Sequence, residues 1–381
     1  MIPSNDDNAT KSNSSNDDMA EGAGRRLPAT RWILGALISV GLVWIISYFF
    51  VDTLNLRAAW EPAIHRWTYA AGTIHRHRSE GWGTSHIGKY DINGIPDITS
   101  LRVPVVVIWG DSHVEAWQVD DSAKAAQALT ALFDAREEAI VGVGIGRSGE
   151  SVADYYFKIP QYEEICPKIA VHFVLLTDFD DVMPDHQKAF HAVFESRPTL
   201  RLVDDSSRPH FMRAVGILRA CNMDFAWYLL TSLKDVKLRF ALGPNRVSET
   251  NVVSDKGCEP KAAWSFLLSR IRKQTTAPIV FVYCPHIPVI RDGTVIYDDP
   301  DATLVRLFEQ ECLRNGVGFL DMTDRFRKYY RKTGRFPRGF ANSRPSEGHF
   351  NEAGQYLIAE AIFAFVSERK LEPSRYVLHT N

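Results

Sequence analysis

Twenty consecutive positions, Trp32 to Val51 (WILGALISVGLVWIISYFFV), carry no formal charge. At 1.5 Å per residue such a helix covers a hydrocarbon core of about 30 Å, and soluble core helices rarely run so far without a charge. Trp32, Trp44, Tyr48 and Phe50 supply aromatic anchors toward its ends. Asp52-Thr53-Leu54-Asn55 follows instead of a small-residue cleavage site, which predicts an uncleaved transmembrane helix over 32–51. Elsewhere the apolar runs are short. Val103 to Ile108 (VPVVVI), Ala139 to Val143 (AIVGV), Ile169 to Leu176 (IAVHFVLL), Pro278 to Tyr283 (PIVFVY) and Val317 to Leu320 (VGFL) have the length and β-branched character of buried strands. Helical periodicity runs through Val114 to Phe133 and Leu357 to Val366, and a further helix is predicted from near Val152. Strands alternating with helices predict an α/β fold: three layers, α/β/α, around a mostly parallel sheet, preceded by one transmembrane helix.

The same pattern divides the chain. Residues 1–31, rich in Asn, Asp and Ser, cannot offset the entropy of ordering and are expected to form a disordered cytoplasmic tail. After the span at 32–51, residues 52–100 are expected to be a solvated juxtamembrane connector. The α/β domain is placed at 101–371, with an insertion at about 185–275, and a tail at 372–381. Within the insertion, Phe211 to Leu233 has helical apolar spacing and is read as a core-facing helix. Arg25, Arg26 and Arg31 before the span outnumber Arg57 and Arg66 after it, which orients the N-terminus to the cytoplasm and the main domain to the periplasm or exterior.

Composition narrows the partners. Of 381 residues 45% are hydrophobic and 24% charged, with a net charge of −2, which gives no electrostatic footprint for nucleic acid. The five cysteines, Cys166, Cys221, Cys258, Cys284 and Cys312, contain no C-x-x-C pair, so zinc-ribbon and thioredoxin-like chemistry lacks support. Cys221 and Cys258, both in the insertion, are the expected disulfide if the domain is exported. His65, His75, His77 and His86 offer no clear third ligand beyond the His75-x-His77 pair, and no metal is assigned. With no phosphate-cradling loop and no G-x-G-x-x-G dinucleotide fingerprint, no cofactor is expected.

In a parallel α/β sheet, functional groups gather outside the carboxyl ends of the strands. Four polar stretches carry the candidate chemistry. Gly110-Asp111-Ser112-His113 follows the first strand and would place Ser112 at the start of a helix, where unpaired amides stabilise developing negative charge. Gly144 to Ser151 (GIGRSGES) follows the second strand, with glycines that let a backbone amide approach an oxyanion. Thr177-Asp178-Phe179-Asp180-Asp181 follows the third and reads as a capped turn in preference to a cation site. Ser346-Glu347-Gly348-His349-Phe350-Asn351-Glu352-Ala353-Gly354 precedes the last helix and supplies a histidine that could act as a general base for Ser112.

With these blocks in this order (VVVIWGDSH, GIGRSGES, LLTDFDD and SEGHFNEAG, joined by PIVFVYCPHIP and VGFLDMTDRF), the chain resembles the SGNH (GDSL-like) hydrolase superfamily over about Val103 to Leu371. The resemblance implies ester chemistry, with Ser112 as nucleophile, its own amide in the oxyanion hole, and His349 as base. Gly149 is implied as the second oxyanion donor, with Gly146 the alternative. Thr177 stands where the family carries an oxyanion-donating asparagine, so its hydroxyl or nearby backbone is expected to replace that donor, and Ser346 stands where the family carries the aspartate that orients the histidine. Glu347 is therefore the expected orienting acid, with a backbone carbonyl helped by Ser346 as the alternative, and Asp111, Gly146, Asp178 and Ser346 are the expected supporting residues. A membrane-anchored serine esterase or O-acyltransferase acting on acyl, chiefly acetyl, esters of envelope or secreted glycans is the expected function. The rival is a noncatalytic glycan-binding or assembly component of a polysaccharide system. The implied partners are an acylated carbohydrate and, through 32–51, the lipid bilayer.

Overall fold

The computed structural model describes residues 26–53, 58–64, 66–179, 192–195, 199–202 and 260–368. The chain divides into two units, residues 1–50 and 51–381. The described residues of the first form one helix, α1 (Arg26–Phe50). Its window Ala29–Ile46 has a mean hydropathy of 1.8 with none of it buried, and is long and apolar enough to cross a bilayer. Helix α1 starts six residues ahead of Trp32, so Arg26 to Arg31, expected to be disordered, are helical. Pro28 is tolerated there because the first turn of a helix has no intrahelical acceptor for its amides. Residues 1–25 and the tail after 368 lie outside the described residues.

The segment after the helix is a folded element of the second unit, contrary to the solvated connector expected from its charge. Strands β1 (Ala58–Glu61) and β2 (Arg66–Tyr69) form one antiparallel pair, and β3 (Ile74–Arg76) and β4 (Thr84–His86) another. Isolated isoleucines do the packing: Ile64, Ile92 and Ile98 are buried in the same cluster as the first strand of the main sheet. Widely spaced single residues give no periodic signal, which is why the segment looks polar in sequence. His75 is buried with its ring 4.0 Å from that of Trp117, and burial pushes it down to about 3.

The main sheet is built from β5 (Val105–Gly110), β6 (Val141–Gly146), β7 (Ile169–Leu176), β10 (Ile279–Tyr283) and β13 (Gly318–Asp321). Two antiparallel pairs intervene, namely β8 (Ala192–Glu195) with β9 (Thr199–Leu202), and β11 (Val289–Arg291) with β12 (Thr294–Ile296). The order is β13-β10-β7-β5-β6, every pair parallel. This is the 2-1-3-4-5 doubly wound arrangement, whose order reverses between β5 and β7 and so opens a crevice at their carboxyl ends. Every residue of β5, β7 and β10 is buried, because helices cover both faces. One face packs against α4 (Val152–Ile165), α5 (Pro260–Arg272) and α6 (Ala302–Arg314); the other against α3 (Ala125–Asp134), α7 (Thr323–Thr333) and α8 (Glu352–Glu368).

Two boundaries differ from the sequence expectation in ways that shape the site. The helix expected over 114–133 is broken: a short α2 (Ser112–Glu115) ends at Ala116, whose φ of 47° is left-handed, and α3 begins only at Ala125. Strand β6 runs on through Gly144 to Gly146, where a turn was expected. Its glycines let helices approach closely: a Cβ on Gly142 would lie 2.3 Å from the Ala126 carbonyl oxygen, and one on Gly146 would lie 2.4 Å from the Glu115 amide. The expected helix Phe211 to Leu233 and both Cys221 and Cys258 lie outside the described residues; Cys166, Cys284 and Cys312 are buried and unpaired.

Candidate active site

Strand β5 ends at the switch point and delivers Asp111 and Ser112 directly into α2. The Asp111 carboxylate caps that turn by accepting from the His113 amide at 2.9 Å, and burial pushes the carboxyl upward. Ser112 is only partly covered. Its Oγ lies 3.0 Å from Nε2 of His349, which the loop ahead of α8 supplies. His349 in turn holds Nδ1 2.6 Å from Oε2 of Glu80, while its backbone amide donates to Oε1 of the same carboxylate at 2.9 Å. Ser112, His349 and Glu80 thus form one continuous hydrogen-bonded relay.

The acid of that relay is not Glu347. The Glu347 side chain points to solvent and pairs with Arg344 at 3.4 Å. Ser346, one position earlier, has a left-handed φ of 70° and is buried, with its Oγ accepting from the Ile290 amide at 2.9 Å. That turn rotates residues 346 and 347 away from the imidazole. Glu80 fills the place from a segment 269 residues distant, between β3 and β4. Two glycines make room: a Cβ on Gly348 (φ 79°) would lie 2.2 Å from Glu80 Oε1, and one on Gly81 (φ 73°) would lie 2.3 Å from the Gln118 carbonyl oxygen. Burial alone would raise the Glu80 carboxyl, but the side-chain and backbone hydrogen bonds from His349 outweigh it and hold the group below its ordinary value.

The support around the histidine is likewise built in. Arg338 is fully buried and donates to the carbonyls of Cys284 at 2.8 Å, Pro285 at 3.2 Å and Gly348 at 3.1 Å, with its guanidinium 3.9 Å from the Phe350 ring centroid. Burial lowers it to about 10, still a cation at neutral pH. The His113 ring lies tilted with its centroid 4.8 Å from that of His349, and burial drives it well below the ordinary histidine value.

Among the other expected residues, Gly149 lies in a turn closed by the Glu150 amide on the Arg147 carbonyl at 3.0 Å, with φ 82°. The neighbouring Ser148 amide is already committed to Glu115 Oε2 at 3.1 Å. Glu115 is buried, and burial lifts its carboxyl to about 8. Gly146 sits in β6 in register with Gly110 and abuts α2. Thr177 is buried at the end of β7, and Asp178 beside it is exposed. Asp180 and Asp181 lie outside the described residues.

A groove of about 830 Å³ adjoins the Glu80 turn at Gly81, lined by Gly81, Trp82, Gln118, Arg335, Phe336 and Phe340 among others. Trp82 is 53% exposed, and the buried Oε1 of Gln118 has no hydrogen-bond partner among the described residues. Neither Glu80 nor this groove was drawn from the sequence; the Gly81-Trp82-Gly83 run beside the acid was the available signal.

No protein-family model matches this chain, and no curated protein does. Solved structures with similar chain traces include a catalytic mutant of Axe2, an acetylxylan esterase from Geobacillus stearothermophilus, at 15% identity over 73% of this chain and 95% of that one, with a TM-score of 0.35. Another is a member of the lipolytic protein G-D-S-L family from Veillonella parvula, at 14% identity over 69% and 97%, with a TM-score of 0.34. A third is a two-domain esterase active on acetylated mannans, at 11% identity over 72% of this chain and 52% of that one, with a TM-score of 0.35. At these values the likeness concerns the chain trace alone, and the chemistry of the site stands on its own geometry. With its sheet order, the Gly-Asp-Ser turn closing β5 and the histidine ahead of α8, the chain has a three-layer α/β/α fold around a doubly wound parallel sheet, with its polar site at the switch point.

Proposed function

We propose that this protein is a membrane-anchored serine esterase or O-acyltransferase acting on acyl esters, chiefly acetyl esters, of envelope or secreted glycans. The observation that carries the proposal is the relay Ser112 Oγ to His349 Nε2 (3.0 Å) and His349 Nδ1 to Glu80 Oε2 (2.6 Å). A base within hydrogen-bond reach of a hydroxyl, itself oriented by a carboxylate, is the arrangement that activates a serine. In the first half-reaction His349 takes the Ser112 proton as Oγ attacks the ester carbonyl. The Ser112 amide, the Gly149 amide and Thr177 are the proposed donors to the oxyanion. His349 then protonates the departing sugar oxygen, leaving an acyl-serine. In the second half, His349 deprotonates water or an acceptor hydroxyl, which attacks the acyl-serine and regenerates Ser112. Glu80 stays ionised throughout, fixing the imidazole tautomer and stabilising the imidazolium.

The groove beside the Glu80 turn supports a glycan as the ester's carrier. An exposed tryptophan platform in a groove shared with two phenylalanines and the Arg335 guanidinium suits the apolar faces and hydroxyl edges of a sugar chain. The apolar helix α1, with its basic residues on the N-terminal side, supports a domain held outside the cytoplasm. The test is acetate release from O-acetylated oligosaccharides by the full chain in detergent, with and without a non-acetylated acceptor. Release that disappears in Ser112→Ala supports the proposal, and acetyl transfer to the acceptor identifies the transferase. A folded protein that binds the oligosaccharide yet releases and transfers nothing would instead establish the noncatalytic glycan-binding role.

A further inference from the structure

Glu80 belongs to no helix or strand of the main sheet; it stands in a turn over residues 78–81 between β3 and β4. A carboxylate that must stay within 2.6 Å of an imidazole needs that turn held still, and two side chains from distant parts of the chain hold it. From below, Oδ1 of Asp52 accepts from the amides of both Arg78 and Ser79, the latter at 3.0 Å. The adjoining Thr53 extends the contact: its amide donates to the Arg76 carbonyl at 2.8 Å and its Oγ1 accepts from the Arg76 amide at 3.0 Å. From the other side, Asn342 accepts from the Gly81 amide at 2.8 Å and donates to the carbonyls of Arg78 and Gly81, each at 2.9 Å. Asn342 thereby spends both of its donors and one acceptor on this one turn. Asp52 comes two residues after the end of α1, and Asn342 seven before His349.

We propose that Asp52 and Asn342 are positioning residues that act through Glu80, so that the acid of the relay is set by the first residues outside the apolar helix. The proposal rests on the reading of Ser112, His349 and Glu80 as the reactive relay. It requires Asp52 as an acceptor, since both of its hydrogen bonds to the turn come from backbone amides and its one ion pair, 3.9 Å to Nδ1 of His77, lies just outside the turn. Asp52→Asn therefore keeps the function while Asp52→Ala loses it. Asn342→Asp is the isosteric counterpart: it sets carboxylate oxygens against two carbonyl oxygens where an amide donated.

The experiment uses the full chain in nanodiscs and has two readouts. The first is turnover of p-nitrophenyl acetate. Misplacing a catalytic group by about 1 Å costs on the order of 10²-fold, so Asp52→Ala and Asn342→Asp are expected to lower kcat by roughly 10- to 100-fold with little change in KM. In a Glu80→Gln background the same changes should add less than about twofold, because residues acting through one group are not additive. Equal losses in both backgrounds, or no loss in wild type, overturn the proposal. The second readout is independent of turnover: the far-downfield Nδ1 proton of His349 in histidine-labelled protein, identified by its disappearance in Glu80→Gln. It should vanish or move in Asp52→Ala and Asn342→Asp and persist in Asp52→Asn. Its persistence in all three, or its absence from the wild type, overturns the proposal whatever the activity. If it responds as expected in a chain that turns nothing over, the catalytic reading fails and the positioning role stands.

Discussion

Gly348 separates backbone strain from catalytic geometry. Its φ of 79° is left-handed, and a Cβ there would stand 2.2 Å from Glu80 Oε1, the oxygen that accepts from the His349 amide. In Gly348→Ala the backbone conformation alone costs about 1–2 kcal/mol. The methyl must also reach an ordinary contact of about 3.5 Å, which drives the carboxylate back by roughly 1 Å. Starting from 2.9 and 2.6 Å, that retreat takes both Glu80–His349 hydrogen bonds to or beyond the limit of useful geometry. A 1 Å misplacement costs about 10²-fold and loss of the orienting acid about 10⁴-fold, so kcat should fall between those limits. The control is Gly334→Ala at the end of α7. It has a φ of 67° and open space around its missing Cβ, so it carries the same backbone cost and no clash. Initial rates on p-nitrophenyl acetate together with denaturant unfolding separate the two. Gly334→Ala should lose about 1–2 kcal/mol of stability and Gly348→Ala more than that, and only Gly348→Ala should lose activity. Activity in Gly348→Ala within threefold of wild type, or an equal loss in Gly334→Ala, refutes the reasoning.

Three further outcomes follow from the same geometry. Glu80 is held below its ordinary carboxylate value, so its contribution to stability is complete above that value and is lost as pH falls through the lower folded one; thermal melting of Glu80→Gln should show a shallower decline on acidification below about pH 4.5 than the wild type. Glu115 behaves oppositely: with its carboxyl raised to about 8, the folded chain loses stability as pH rises from the ordinary carboxylate value toward 8, and Glu115→Gln should melt higher than wild type at pH 8 with the difference shrinking toward pH 4.5. Trp82→Ala should raise KM for an acetylated oligosaccharide by about five- to tenfold while leaving p-nitrophenyl acetate turnover within twofold, since a small aryl ester has no need of the groove; equal effects on both substrates would remove the groove from substrate binding.

The central strands were legible because burial on both faces turns β5, β7 and β10 into unbroken apolar runs, and their order along the chain already implied a parallel sheet. Ser112 and His349 were legible because each lies within a short polar block at a strand end or helix start. What failed was local. Glycines 144 and 146 read as a loop because glycine favours turns, whereas both lie in β6 and Gly146 is needed there because the backbone of α2 comes within a side chain's width. The continuous helix over 114–133 failed at Ala116, an alanine in a left-handed conformation that no propensity announces. The acid was sought next to the histidine in sequence, at Glu347, yet the left-handed Ser346 turns that stretch away. Glu80 was hidden by its surroundings: a short polar segment after an apolar span looks solvated, and only the packing of single isoleucines makes it part of the fold.

The most direct test of the relay is the rate at which a fluorophosphonate labels Ser112 in the full chain, followed by mass mapping of the adduct, with Glu80→Gln and Glu347→Gln compared side by side. The geometry predicts labelling at Ser112 in the wild type, abolished in His349→Ala, slowed by at least about 10²-fold in Glu80→Gln and unchanged in Glu347→Gln. Labelling that survives Glu80→Gln but collapses in Glu347→Gln, or a folded wild type that takes no label at Ser112, contradicts the account.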